Sequence, residues 1–366
     1  MIKATYPSML YYFAKYIMLL GQVYYVTWSS ILYYLLITFY LHYMLGAIIG
    51  DIVGSKYEFN NTLDYDFEMF AEGSDFTDDS VCTVAVADAI LNDKTYKDSL
   101  LEWCRRYPSP KGSYGGRFSM WIHSDDPQPY NSFGNGSAMR VSPVAWLFDD
   151  LEKVIEESAE TAAPTHNHPE GIKGAMAVAH AIWHFLKGGA DGGKGDLSGF
   201  ISLANNYYED FYTRDYPVGV FDETCMEVVP LSFHIIAHAS SFEDAIRLAI
   251  SHGGDSDTIG AIVGSIAEAR FGIPEEVKEK AMSYLPDDMK AVYQQFEEKV
   301  QASPTGSVLK RTYINEFHRK NSLEALKEVQ IMRQHPYTRE QKIAQIELLH
   351  QNGASKDAIN AERSLK

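Results

Sequence analysis

Apolar residues recur every three or four positions in four stretches of the chain: "SVCTVAVADAILND" (80–93), "GIKGAMAVAHAIWHFLKG" (171–188), "SFEDAIRLAISHGG" (241–254) and "DTIGAIVGSIAEARFG" (257–272). That period predicts helices. Ser241, with Glu243 and Asp244 behind it, marks the start of the third, and Gly253 and Gly254 mark its end. No run of alternating residues stands out as a set of strands. The pattern from 44 to about 300 predicts an all-α, orthogonal multi-helix bundle whose loops carry the function.

The pattern changes at both ends. Residues 1–43 hold no Asp or Glu, and from Tyr16 to Gly50 there is no charged residue at all. The window "VTWSSILYYLLITFYLHYML" is long enough to cross a bilayer. Lys3 and Lys15 precede it, which would leave the N-terminus inside. A second reading is that the segment precedes the true start, since Met44 opens "MLGAIIGDIVGS" like a domain. The tyrosine density and the lack of a linker favour this reading, and residues 1–43 are expected to be dispensable. Residues 301–366 turn basic and read as an appended helical hairpin joined at "NGAS", either packing on the domain or meeting a partner. The expected catalytic domain is therefore 44–300.

The net charge of −17 and the absence of a basic stretch exclude a general nucleic-acid binder. Cys82, Cys104 and Cys225 show no paired spacing, which fits a reducing, cytoplasmic setting without disulfides.

Candidate chemistry begins at "FTDDSVCT" (76–83). Thr77, Asp78 and Asp79 stand at the start of an apolar helical run, where a cap and two dipole-facing acids are ordinary. "GGDSDT" (253–258) repeats the arrangement with Asp255, Asp257 and Thr258. If the two helix starts face each other, four carboxylates share one space. Unit charges about 4 Å apart repel by roughly 4 kcal/mol even at an effective dielectric near 20. Two divalent cations would cancel the four charges, and oxygen ligands select magnesium or manganese over zinc.

Other polar stretches are less specific. "GDIVGSKYEF" holds Asp51 and Glu58; on its residues alone Glu58 reads as a surface acid. Gly46, Gly50 and Gly54, four apart, permit close backbone packing. Gly115 and Gly116 form a turn that could admit a phosphate. "SFGNGSAMRVSP" combines tight backbone with short polar side chains ahead of a helix, an anion-binding arrangement or an ordinary Asn-Gly turn. "THNHPEG" lacks the companion ligands of a zinc site, so Pro169 reads as a helix start with one histidine facing a ligand.

Together "GAIIGDIVGSKYEF", "FTDDSV", "SFGNGSAMRVSP", "THNHPEGIKGA" and "GGDSDTIGAIVGSIAEA", in this order over about 45–285, resemble the ADP-ribosylglycohydrolase family. The resemblance implies an all-α bundle with a two-metal centre, magnesium or manganese, at helix termini. It implies metal ligands Thr77, Asp78, Asp79, Asp255, Asp257 and Thr258. Catalytic roles fall to Glu58 and Asp78. Substrate contacts fall to Gly115, Gly116, Ser132, Phe133, Gly134, Asn135, Gly136, Ser137, Met139 and His166. The implied reaction cleaves the glycosidic bond between ADP-ribose and a modified protein side chain. Alternatives are another ADP-ribose-type glycoside as substrate, or a non-catalytic, crystallin-like role. Residues 222–230, "DETCMEVVP", have no assignment, and the linkage cleaved is not legible.

Overall fold

The computed structural model describes residues 43–188 and 194–302. Among these the regular structure is helical, and pairing between extended segments is limited to two isolated bridges, Thr77 with Lys111 and Gly134 with Thr224. The expected membrane span and the C-terminal hairpin lie outside the described residues. Among those described, no helix is long and apolar enough to cross a membrane. The packed core includes Tyr43, whose ring meets Trp146 edge-on at 5.3 Å, one residue before the expected start at Met44.

Two helices form the spine. Helix α1, Leu45–Gly54, is buried along its whole length. Helix α2, Asp78–Leu91, is buried on every side beyond its first residue until it ends. A helix apolar all round belongs in the interior of a fold, not on its surface. Five helices follow: α3 (Tyr96–Arg106), α4 (Gly116–His123), the single turn α5 (Gly136–Met139), α6 (Ser142–Leu147) and α7 (Leu151–Ala162). Then come α8 (Pro169–Lys187), α9 (Leu197–Tyr207), α10 (Cys225–His238), α11 (Phe242–His252), α12 (Ser256–Phe271), α13 (Glu275–Met282) and α14 (Asp287–Gln301).

Helix α12 runs antiparallel against α1, and the glycine spacing explains how closely. A methyl group on Gly46 would strike the carbonyl of Gly264, one on Gly50 that of Gly260, and one on Gly54 the backbone at Ser256 and Asp257. Only glycine permits this approach. Its consequence is positional: the end of α1 lies beside the start of α12, so the turn that follows α1 stands over the start of α12.

The same helix reaches the start of α2. The buried Asp51 carboxylate accepts from the Thr77 amide at 2.9 Å, the Ser80 amide at 3.0 Å and the Ser80 hydroxyl. Thus α1 holds both acidic helix starts, one through glycine contact and the other through a carboxylate. Helix α8 starts at Pro169, as its sequence predicts, but its cap is His168, whose Nδ1 accepts from the Glu170 amide at 3.1 Å.

Candidate functional site

The two acidic helix starts meet. Thr258 Oγ1 donates to Asp79 Oδ2 at 3.3 Å across 179 positions of sequence. Above them opens a cavity of about 480 Å3 lined by Asp78, Asp79, Asp255, Asp257 and Thr258, within the size range of small-molecule sites. Oxygens of Glu58, Asp255 and Asp257 lie within 4.8 Å of one another and could hold a metal ion. Glu58, which its own sequence presents as a surface acid, is half-buried and belongs to this cluster because the turn after α1 sits on α12.

Crowding shows in the electrostatics. Burial, then Asp257, push Asp79 well above the usual carboxylate range, and the same two causes act on Asp255. Burial also raises Asp257. Asp78 is raised by loss of water, then by Cys82 and the neighbouring carboxylates. Asp51 is pushed up to about 7 by burial and by Asp257. Three buried oxygens, Asp51 Oδ1, Asp79 Oδ1 and Asp257 Oδ1, have no hydrogen-bond partner. A buried carboxylate without a donor is costly unless a cation answers it. The donor set therefore fits a hard divalent ion.

The remaining site residues divide. Gly115, Gly116, Ser132, Phe133, Gly134, Asn135, Gly136, Met139 and His166 line the cavity. A methyl on Gly115 or Gly116 would meet nothing within 4 Å, so that turn is open to the cavity. Asn135 Nδ2 donates to Asp255 Oδ2 at 2.6 Å, tying the glycine loop to the acids. One expected residue faces elsewhere. Ser137 is fully buried and donates to the Gly171 carbonyl at 2.7 Å, so its hydroxyl fastens α5 to α8. Thr77, fully buried, caps α2, accepting from the Asp79 amide at 3.2 Å, while its own hydroxyl donates to Asp79 Oδ2 at 3.5 Å and so stays with the acids.

His166 is buried and held neutral, its pKa driven well below the usual range by burial, then by Arg140 and Arg117. Thr165 Oγ1 accepts from Arg140 at 2.9 Å and lies 2.7 Å from His166 Nδ1. The other ring nitrogen, Nε2, faces Gly134 and Gly136.

The unassigned 222–230 stretch supports the glycine loop. The Glu223 carbonyl accepts from the Asn135 amide at 2.7 Å, and the Phe133 carbonyl accepts from the Cys225 amide at 3.0 Å. Asp222 Oδ1 accepts from the Thr224 amide and hydroxyl at 2.7 and 2.6 Å, which shapes the turn. The Asp-x-Thr pattern was the available signal for that turn; its docking against residues 133–135 had none. Arg117, Tyr130 and Arg140 also line the cavity and were not singled out from the sequence. Cys82, Cys104 and Cys225 are buried and unbridged.

An all-helical fold that gathers carboxylates from two helix starts under a polar cavity defines a protein with a carboxylate centre able to hold a metal ion. The comparisons narrow this class. The ADP-ribosylglycohydrolase family profile matches residues 38–306, and the chain belongs to that family. The ADP-ribosyl-[dinitrogen reductase] glycohydrolase of Rhodospirillum rubrum is 24% identical over 259 residues, covering 63% of this chain and 85% of the relative. ADP-ribosylhydrolase ARH3 of Homo sapiens is 23% identical over 327 residues, 68% and 90% of the two chains. ADP-ribosylarginine hydrolase Tri1 of Pseudomonas putida is 25% identical over 283 residues, 66% and 73%. A solved ADP-ribosylglycohydrolase-related protein complex shares the fold, with a TM-score of 0.55 at 20% identity, over 70% of this chain and 96% of that one.

Proposed function

We propose that the chain hydrolyses the glycosidic bond between ADP-ribose and a modified protein side chain, in the manner its relatives' names describe. The observation that supports this most is the meeting of Asp78 and Asp79 with Asp255, Asp257 and Thr258 under one cavity. The buried, unanswered carboxylate oxygens argue against a non-catalytic role, since a purely structural protein has no use for them.

Thr77, Asp78, Asp79, Asp255, Asp257 and Thr258 would hold two magnesium or manganese ions. When bound, such ions polarise ribose hydroxyls and lower the pKa of water. The protein's own groups do the rest. Asn135 holds Asp255 in place. The open Gly115–Gly116 turn and the 132–136 loop admit the ligand's backbone-recognised portions. Glu58, beside Asp255 and Asp257, would give a proton to the leaving acceptor or take one from water as the oxocarbenium-like transition state forms. Asp78, which also lines the cavity, would share that proton handling.

The test is direct. The full chain is incubated with ADP-ribosyl-arginine and ADP-ribosyl-serine peptides, with and without magnesium, and free ADP-ribose is measured. Metal-dependent release from one peptide is expected, and it also identifies the linkage. No release from either peptide with metal present overturns the reading. Metal analysis of the purified chain is expected to find at least one divalent ion per molecule.

A further inference from the structure

The charge in the cavity is unevenly placed. Six carboxylates line it against two guanidinium groups, those of Arg117 and Arg140. Arg140 is fully buried and committed, donating to the Thr161 carbonyl at 2.8 Å and to Thr165 Oγ1 at 2.9 Å. Arg117 is different. It is half-buried in the first turn of α4, directly after the open Gly115–Gly116 pair. One N–H donates to the Tyr130 carbonyl at 2.5 Å, and the guanidinium lies over the Tyr130 ring at 4.8 Å. Arginine carries five N–H donors in a planar fork, so most of the fork is left to face the cavity. The Tyr130 ring stands 6.2 Å from the His166 ring, which places Arg117 at the His166 end.

We propose that Arg117 binds the diphosphate of the ligand and so decides which end of the ligand reaches the carboxylates. This rests on the ADP-ribose reading above. A diphosphate set among the acids would add anionic charge where carboxylates already repel one another. At Arg117 it meets a fork that matches two phosphate oxygens, already oriented by stacking on Tyr130. The neutral ribose hydroxyls then face the acidic end. Nothing in the sequence pointed to this residue, because an arginine two positions past a Gly-Gly turn is commonplace.

The experiment measures ADP-ribose binding to the full chain by calorimetry in magnesium buffer, for wild type, R117Q and R117K, together with KM and kcat on the ADP-ribosylated peptide that the wild type cleaves. R117Q is expected to weaken ADP-ribose binding by about 10- to 100-fold and to raise KM with kcat nearly unchanged. Adenosine, which has no phosphate, is expected to bind both proteins equally. R117K keeps the charge and is expected to recover part of the loss. R117Q binding ADP-ribose within twofold of wild type overturns the proposal. So does an equal loss for adenosine, which would mark Arg117 as structural. Should R117Q fail to fold, R117K decides: a loss of ADP-ribose affinity that exceeds its loss of adenosine affinity supports the proposal, and ADP-ribose affinity within twofold of wild type overturns it. A wild-type chain that binds no ADP-ribose overturns the functional reading itself, an outcome separate from the others.

Discussion

Helices α11 and α12 both begin with a short polar residue and acids, and do different work. Helix α11 follows Ser241 and carries Glu243 and Asp244 in its first turn; α12 follows Asp255 and carries Asp257 and Thr258. At α11 the serine does the capping, accepting from the Asp244 amide at 3.1 Å. Although slight burial opposes it, bonds from Ser240 and Tyr65 hold Asp244 below the usual carboxylate range. At α12 no side chain caps the helix, and the acids are buried and raised. Helix α2 combines the two: Thr77 caps while Asp79 joins the site. Capping and cation binding use the same residues because both answer electron-poor groups with oxygen. What separates them is whether water or other carboxylates surround the oxygen.

The largest expected effect strikes the acid that joins the site from outside either helix. Glu58→Gln keeps shape and removes the proton. Turnover is expected to fall by about 10²–10⁴-fold, the usual worth of a general acid or base, with ADP-ribose affinity nearly intact. Near-normal single-turnover hydrolysis would return the proton transfer to an aspartate of the helix starts.

Metal linkage sharpens the contrast. Magnesium at a hundredfold excess over its Kd is expected to stabilise the wild type by about 2.7 kcal/mol. Asp257→Asn is expected to lose most of that gain while melting no lower than wild type in chelator, since one repelling charge is gone. Thermal scans with and without magnesium measure both; an undiminished magnesium response in the variant refutes the role of Asp257.

Gly50→Ala tests the bracket that brings the acids together. Its methyl would enter the Gly260 carbonyl and force α1 from α12. A loss of about 1–3 kcal/mol is expected, the cost of overpacking, together with a weaker magnesium response. Denaturant melts that match wild type would show that the helices do not need this contact.

Ser241→Ala is the control at the solvated cap. It is expected to cost about 1 kcal/mol and to leave magnesium linkage and turnover unchanged. An altered metal response would mean that α11 is coupled to the site.

A test read in pH concerns a third kind of acidic helix start. Glu268, on α12, accepts from the Leu45 and Gly46 amides at 3.3 and 2.9 Å, and burial pushes it up to about 8. Its folded pKa lies above its unfolded value near 4.5, so its contribution favours folding at low pH and fades as pH rises from about 4.5 to 8. Glu268→Gln is expected to melt progressively better relative to wild type across that window. A gap that stays constant from pH 5 to 9 would show that this carboxyl does not titrate there.

The chain's sequence alone determined the helical class, the α8 start at Pro169, the α11 cap and its glycine end, because these depend on groups within a few positions of one another. It also determined the acid pairs as candidates, and the order of five motifs identified the family. Only the tertiary structure decided which acids are caps and which are site. Glu58 became part of the cluster through the glycine contact of α1 with α12; Ser137 turned from the cavity into the packing, and Thr77 caps α2 while staying beside Asp79. Asn135 turned its amide to Asp255, and residues 222–225 became the support of the glycine loop. Burial and the placing of charges far apart in sequence set these roles, and a local pattern cannot encode the distance between two residues that only the fold brings together.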